Sequence, residues 1–370
     1  MCYYPVKREP IDVFICGAYT ENEKGALIVA QMSHTERIKA AIAFQDVDRV
    51  PAGIWGHRPF AEQDPIYLAE VQLDIALKHD FDFIKLNPDA MCHYYDFGVS
   101  SVMHTNPENP QKTQFRRTLM NTLDDWRAMP VLPAYYGNLG KTVNLTRYMQ
   151  RFQKEKGVEI PYIVTVNSPL TNVIEVGCGL FHDPRAFIEM MKENEELFQE
   201  VLQKMTETGI NYIKANMEYG PAGFFFATRF ACYDYMTEEE YDKWGKPYDM
   251  QLFKVIESEP SLYFNMLHIH GQNAMWDKIA NYPGNVINWH DAWIPPTLEE
   301  GRKLCHKCIE GGLHERELAG YTPQQVKEKV RDAVARAGRK GLIIGNGCGV
   351  WPWPSDENLH AITQALEEIG

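Results

Sequence analysis

Short apolar runs recur along the chain, and each leads into polar residues able to do chemistry. Val50-Pro-Ala-Gly-Ile-Trp55 precedes His57 and Arg58, Phe83-Ile-Lys-Leu86 precedes Asn87 and Asp89, and Tyr162-Ile-Val-Thr-Val166 precedes Asn167 and Ser168. Tyr212-Ile-Lys-Ala215 precedes Asn216 and Glu218, and Leu262-Tyr-Phe-Asn-Met-Leu267 leads into His268 and His270. Val286-Ile-Asn-Trp289 leads into His290 and Asp291, Leu313 to Ala319 ends at Gly320, and Leu342-Ile-Ile344 leads into Asn346 and Cys348. Between most of these runs the spacing predicts helices, over 35–44, 66–78, 184–208, 238–257, 298–310 and 322–337. Alternating strands and helices imply a parallel sheet. Eight such units predict a (β/α)₈ barrel, an α/β fold whose chemistry sits at the C-terminal ends of the strands. The polar residues cluster at those ends, which a random scatter would not do so regularly.

Ser33 and Glu36 form a capping-box pattern at the start of the first helix. Residues 32–370 read as one barrel domain, with about 90–159 inserted after the second strand and Pro107-Glu-Asn-Pro110 as a hairpin turn within it. Residues 1–31 match no element and are expected to be an N-terminal extension. A length of 370 residues fits one barrel with insertions.

Composition removes some classes of function. Hydrophobic residues are 45% and charged residues 24%, ordinary for a globular chain with a substantial core. The net charge of −13 argues against a general nucleic-acid binder or adsorption to anionic membranes. No run is long enough to span a membrane, and Ile11-Asp-Val-Phe-Ile-Cys16 is too short for a signal-peptide core, so the chain reads as cytoplasmic. The eight cysteines form no framework, and Cys305-His-Lys-Cys308 falls in a predicted helix without a second pair.

The strongest candidate chemistry is His268-Ile-His270 with Cys348. Residues i and i+2 of a strand share a face. Two imidazoles and a thiolate make a three-ligand Zn²⁺ set with a fourth position free. Taken alone, the triplet reads better as two strand-end histidines and a small buried cysteine. The barrel layout, which brings strand ends together, reverses that preference.

Several motifs carry a resemblance. Thr35-Glu-Arg-Ile-Lys-Ala-Ala with Asp48-Arg-Val-Pro51, then Ser168-Pro-Leu-Thr171, Tyr241 to Tyr248, His268-Ile-His-Gly271, Asn346-Gly-Cys-Gly349 and Pro354-Ser-Asp-Glu-Asn358 resemble the uroporphyrinogen decarboxylase superfamily over about residues 32–370. The resemblance implies a (β/α)₈ barrel and one of two chemistries. One is cofactor-independent decarboxylation of porphyrinogen acetates. The other is zinc-dependent methyl transfer between a corrinoid protein and a thiol, or a related demethylation.

The decarboxylase branch carries an RxxGR motif after the first strand, where this chain has Trp55-Gly-His-Arg-Pro59. Its aspartate matches Asp89, its pocket tyrosine falls on Glu175, and its late histidine falls on Cys348. The methyltransferase branch carries His-x-Cys and a late Cys, matched by His268 and Cys348, with His270 in place of the middle cysteine. That exchange implies a more Lewis-acidic ion and a weaker bound thiolate nucleophile, opening the site to an alkoxide or phenolate. With Asn288-Trp-His-Asp291, the chain resembles an HIHG-type subgroup of this branch.

Methyl transfer is therefore the expected function, on a small thiol or methoxy or methylated substrate. The resemblance implies Zn²⁺ on His268, His270 and Cys348 and a corrinoid supplied by a partner protein, since the chain shows no corrinoid-binding motif. The alternatives are decarboxylation of a porphyrinogen or smaller carboxylate through Asp89, and a non-catalytic barrel binding a corrinoid or metabolite. Glu218 reads equally as zinc ligand or general base and as a strand-end carboxylate on neighbouring backbone. Asp89 reads as a substrate-positioning group or a helix cap. His57, Arg58, Asn87, Asn167, His290 and Asp291 are the candidate substrate-binding residues. Of these, Arg58 with His57 suits an anionic group, and Asp291 could instead orient a ligating histidine or close a structural turn. Phe224-Phe-Phe226 reads as packing, and Trp351 and Trp353 as a pocket wall or edge cover. Barrels of this family often pair, which leaves a homodimer open.

Overall fold

The computed structural model describes residues 19–21, 27–29, 31–102, 114–181 and 183–370. Seven parallel strands form one sheet in the order Leu342–Asn346, Cys308–Leu313, Val286–Trp289, Met266–Ile269, Gly223–Thr228, Tyr162–Asn167, Ile84–Leu86. The extended segment around Ala52 closes the gap between the two outer strands. The Gly53 N–H donates to the Ile344 carbonyl at 3.0 Å, the Ile344 N–H to Pro51 at 2.8 Å, and the Asp82 N–H to Ala52 at 2.7 Å. With that eighth position filled, the barrel sheet has no open edge among the described residues, and the molecule is a (β/α)₈ barrel.

Alternation along each strand divides the core in two. Phe225 points into the barrel with Trp55, Phe83, Ile163, Met266, Val286 and Ile343. Phe224 and Phe226 point outward and pack with the helices. This triple aromatic run is the fourth barrel position. The predicted strand over Tyr212–Ala215 belongs instead to the helix Glu195–Met217. Phe198, Val201, Leu202, Met205, Tyr212 and Ile213 are buried along one face of that helix, so the apolar run continued a helical stripe rather than starting a strand.

The seventh strand is Cys308–Leu313, not Leu313–Ala319, and its helix Leu298–Leu304 stops six residues short of Glu310. Inward Glu310 and the pair Gly311-Gly312 broke the apolar pattern there. A side chain at Gly311 would come within 2.5 Å of Asp291, and Gly312 holds φ +100°, which suits glycine. Cys305 caps the helix and Cys308 opens the strand, both buried and free. The predicted helices over 184–208 and 238–257 are each broken, at Asn194 and at Gly245.

Within 90–159, Ser100–Val102 pairs antiparallel with Gln114–Arg117, and the Pro107 turn lies outside the described residues. The helix Gly137–Lys156 packs on Pro65–His79 and serves as an ordinary outer helix of the barrel. In the N-terminal stretch, Tyr19–Glu21 pairs with Leu27–Val29. The Ser33–Glu36 capping box is formed. Among the described residues no helix is long and apolar enough to cross a membrane.

At the N-terminal end of the strands, Asp82 is fully buried. It accepts from Arg37 at 2.5 Å, Arg49 at 2.7 Å and the Ala52 N–H at 2.9 Å. Arg37 also grips Asp48 through two hydrogen bonds of 2.7 Å. The Thr35-Glu-Arg and Asp48-Arg motifs thus build the closed floor of the barrel, the end that serves stability.

Candidate metal centre at the barrel mouth

His268 lies in the strand Met266–Ile269, and His270 follows it, its N–H still donating to Thr228 at 3.1 Å. Cys348 lies two residues beyond the strand Leu342–Asn346. One ligand atom from each of His268, His270 and Cys348 lies within 4.8 Å of the others. The Cys348 Sγ is 3.7 Å from His270 Nδ1. Register aligns the two ends, because each strand finishes at the same rim of the closed barrel.

The His268 ring is held on three sides. It stacks on Phe225 at 4.9 Å between centroids and meets Trp55 edge-on at 5.9 Å. Its Nδ1 is 2.5 Å from Asn288 Oδ1. The Asn288 amide nitrogen is already committed as a donor to the Glu310 carboxylate and the Asn346 carbonyl. Asn288 Oδ1 therefore accepts, His268 carries its proton on Nδ1, and Nε2 keeps a free lone pair.

Electrostatics favour neutral imidazoles. Burial, with His270 and His290 nearby, holds the His268 pKa well below the ordinary histidine value. Burial and His290 bring His270 to about 3. Burial pushes the Cys348 thiol up to about 11. The donor set fits Zn²⁺: two neutral nitrogens ready to bind, and a sulfur whose proton a cation would displace.

His290 stands beside this group, its Nε2 3.3 Å from His270 Nδ1. Its Nδ1 is 2.7 Å from Glu315 Oε1, which also accepts from Trp293 Nε1 at 2.8 Å. Burial works to raise the Glu315 carboxyl, but the His290 and Trp293 hydrogen bonds outweigh it and hold it below its ordinary value. Glu315, not Asp291, orients this imidazole. Asp291 turns away and accepts from the Gly312 N–H at 3.0 Å, and burial lifts its carboxyl to about 7.

A cavity of about 420 Å³ opens beneath the triad, lined by His57, Lys85, Asn87, Asp89, His93, Asn167, Glu175 and Arg229. Asp89 accepts from the Met91 N–H at 2.7 Å and from the Tyr95 hydroxyl at 3.2 Å, so it shapes the turn after its strand while facing the cavity. Asn167 donates to Tyr94 and Asn172. His57 lies between Glu62 at 2.9 Å and Asn87 at 3.1 Å. Glu175 pairs with Arg229.

Besides His290 and Asp291, which do not line this cavity, two more expected site residues are elsewhere. Arg58 leaves this cavity and sits over Trp353, its Cζ 3.4 Å from the ring centre, and burial lowers its guanidinium to about 10. Glu218 is exposed at the C-terminal cap of Glu195–Met217, where it accepts from Tyr135 at 3.0 Å. It precedes the strand Gly223–Thr228 and so lies at the floor end, opposite His268. The misplaced strand at Tyr212 caused that error. The sequence reading missed Lys85, Glu310 and Glu315 as site residues. The signals were there: Lys85 and Glu310 are charges at single positions within otherwise apolar strands.

A family model described as Uroporphyrinogen decarboxylase (URO-D) matches residues 33–369. A uroporphyrinogen decarboxylase of Synechococcus sp. (strain JA-2-3B'a(2-13)) is 20% identical over 172 residues, 46% of this chain and 48% of that protein. The chain thus aligns with about half the length of that relative. A second, from Synechococcus sp. (strain CC9902), is 22% identical over 277 residues, 74% of this chain and 73% of that protein. Among solved structures, a methyltransferase from Methanosarcina mazei superposes with a TM-score of 0.74 at 17% identity, covering 91% of this chain and 99% of the other. That likeness is one of fold.

Proposed function

The chain belongs to the uroporphyrinogen decarboxylase family, and we propose that it is a zinc-dependent methyltransferase working with a corrinoid protein on a small thiol, methoxy or methylated substrate. The observation that carries this reading is the convergence of His268, His270 and Cys348 on the wall of the cavity. These three residues would hold the ion. Bound zinc would supply a Lewis acid that brings a substrate heteroatom to its nucleophilic form near neutral pH.

The chain's own residues do the rest. Asn288 fixes the His268 tautomer and ring plane. His290, tethered by Glu315, sets its Nε2 against His270 and would hold that ring in place. Asp89, Asn87 and Asn167 line the wall and orient the substrate, with Trp55 and Phe225 as its apolar floor. Asp89 keeps the decarboxylase reading alive as the second candidate, because it faces the cavity at the family spacing. Against that reading, a substrate with many carboxylates would find, among the described lining residues, one lysine, Lys85, and one arginine, Arg229, which Glu175 already pairs.

The test is metal analysis of untagged protein, followed by a methyl-transfer assay from methylcobalamin to a small thiol and to a phenol. Near one zinc per chain with zinc-dependent demethylation supports the proposal. Protein that neither retains zinc nor takes it up on titration overturns it and moves decarboxylation forward. Asn288→Leu is expected to weaken zinc binding about 10- to 100-fold, the usual cost of removing a group that orients a ligating histidine. Competition with a chromophoric chelator measures it, and an unchanged affinity would show that His268 needs no such tether.

A further inference from the structure

Lys85 occupies the middle of the strand Ile84–Leu86, and its side chain enters the cavity beneath the triad. It is buried, with its ammonium 4.3 Å from the ring centre of Trp55 and 4.4 Å from that of Phe225. Its hydrogen bond goes to Asn87 Oδ1. Among the described residues it makes no ion pair with a carboxylate. The acids near it are engaged elsewhere: Asp89 by the Met91 N–H and Tyr95, Glu175 by Arg229, and Glu62 by His57 and the Arg58 N–H. Glu310 takes the Asn288 amide, and burial pushes its carboxyl well above the ordinary carboxylate range, toward the neutral acid.

A buried ammonium is costly unless an anion or several acceptors receive its three donors. One amide oxygen and two aromatic faces compensate it only in part. Burial accordingly draws its pKa down to about 8, the cost of charge without a counter-ion. The same two rings offer an apolar platform directly beside the charge.

We propose that Lys85 receives the anionic group of the substrate, and that the substrate is a small carboxylate whose apolar body rests on Trp55 and Phe225. This deepens the proposed function and rests on its reading of the cavity as the substrate site. It transfers the role of anion receptor from Arg58, which the fold has turned onto Trp353, to a residue inside the barrel. A cavity of about 420 Å³ holds a carboxylate built on one or two rings.

Calorimetric titration of the protein as purified with benzoate and with benzamide, its neutral isostere, tests this without any turnover. Benzoate is expected to bind at least about tenfold more tightly, the effect of one charge-assisted hydrogen bond. Lys85→Met should erase the preference while leaving zinc content unchanged. Asn87→Asp, which sets an internal carboxylate against the ammonium, should erase it too, and it decides the matter if Lys85→Met does not fold. A wild type without preference overturns the proposal, as does a folded variant that keeps it. So does loss of zinc with the preference retained, which would assign Lys85 to the Cys348 thiolate. Because the readout is anion preference, its failure is distinct from a failure to find zinc.

Discussion

Cys348→Ala is expected to purify without zinc. The substitution removes the only sulfur ligand from a set of three and leaves two imidazoles that cannot close a tetrahedral site. Affinity should fall by more than the roughly 100-fold that separates an oriented from a loose ligand. Methyl transfer should fall about 10³-fold, the rate equivalent of the several kcal/mol that a Lewis acid contributes. The fold should survive, because Cys348 lies beyond the strand end and its side-chain polar contact is the 3.7 Å approach to His270. An unchanged far-ultraviolet dichroism spectrum with an absent metal signal is the expected pair of results. Stoichiometric zinc in the variant would remove Cys348 from the ligand set. Attention would then pass to His290, whose Nε2 already lies 3.3 Å from His270.

The second large effect concerns the opposite end of the barrel. Asp82→Ala should destabilise the protein by about 3–5 kcal/mol, the cost of removing one partner from a buried ion pair. Two guanidiniums, Arg37 and Arg49, would each lose a carboxylate oxygen within 2.7 Å, and the Ala52 N–H would lose its acceptor. The loss falls where the Ala52 segment closes the sheet, so closure itself weakens. A urea midpoint well below that of the wild type checks the size of the effect.

The pH dependence of the same variant checks its origin. Burial works to raise the Asp82 carboxyl, but His34, Arg49 and Arg37 outweigh it and hold its pKa below the ordinary 3.8. A lowered carboxylate pKa gives stability that is fully present above the unfolded value and disappears as pH falls through the folded one. The wild-type advantage should therefore be flat above about pH 5 and shrink progressively below it. A difference that vanished nearer neutrality would point to a group other than Asp82.

The two ends of the barrel differ in how far they were legible along the chain. The floor motifs were visible as letters, Thr35-Glu-Arg and Asp48-Arg, yet their common partner Asp82 was not, because nothing local ties residue 82 to residues 37 and 49. At the mouth, His268 and His270 were legible because a two-residue period along a strand is a local property. Cys348 was legible because it ends the last apolar run. Glu218 failed for the converse reason. Its apolar run, Tyr212-Ile-Lys-Ala215, matched a strand in four residues and a helix in 23, and only packing of the longer stripe chose between them. The run Phe224-Phe-Phe226 held a strand that its uniform hydrophobicity disguised, since outward and inward positions are both buried in a barrel.

Periodicity along the chain was enough for the alternation of strands and helices, though not for the bounds of the fourth and seventh strands, and with it came the barrel and the rim where the reactive residues gather. Those are consequences of periodicity, which short stretches of chain carry without reference to one another. Which groups meet came from the folded arrangement alone: Glu315 rather than Asp291 behind His290, Lys85 rather than Arg58 in the cavity, and Glu218 at the opposite end of the barrel. Partnership depends on the register across neighbouring strands and on closure between residues as distant as Ala52 and Ile344. A side chain's direction relative to the barrel axis exists only once that closure has been made.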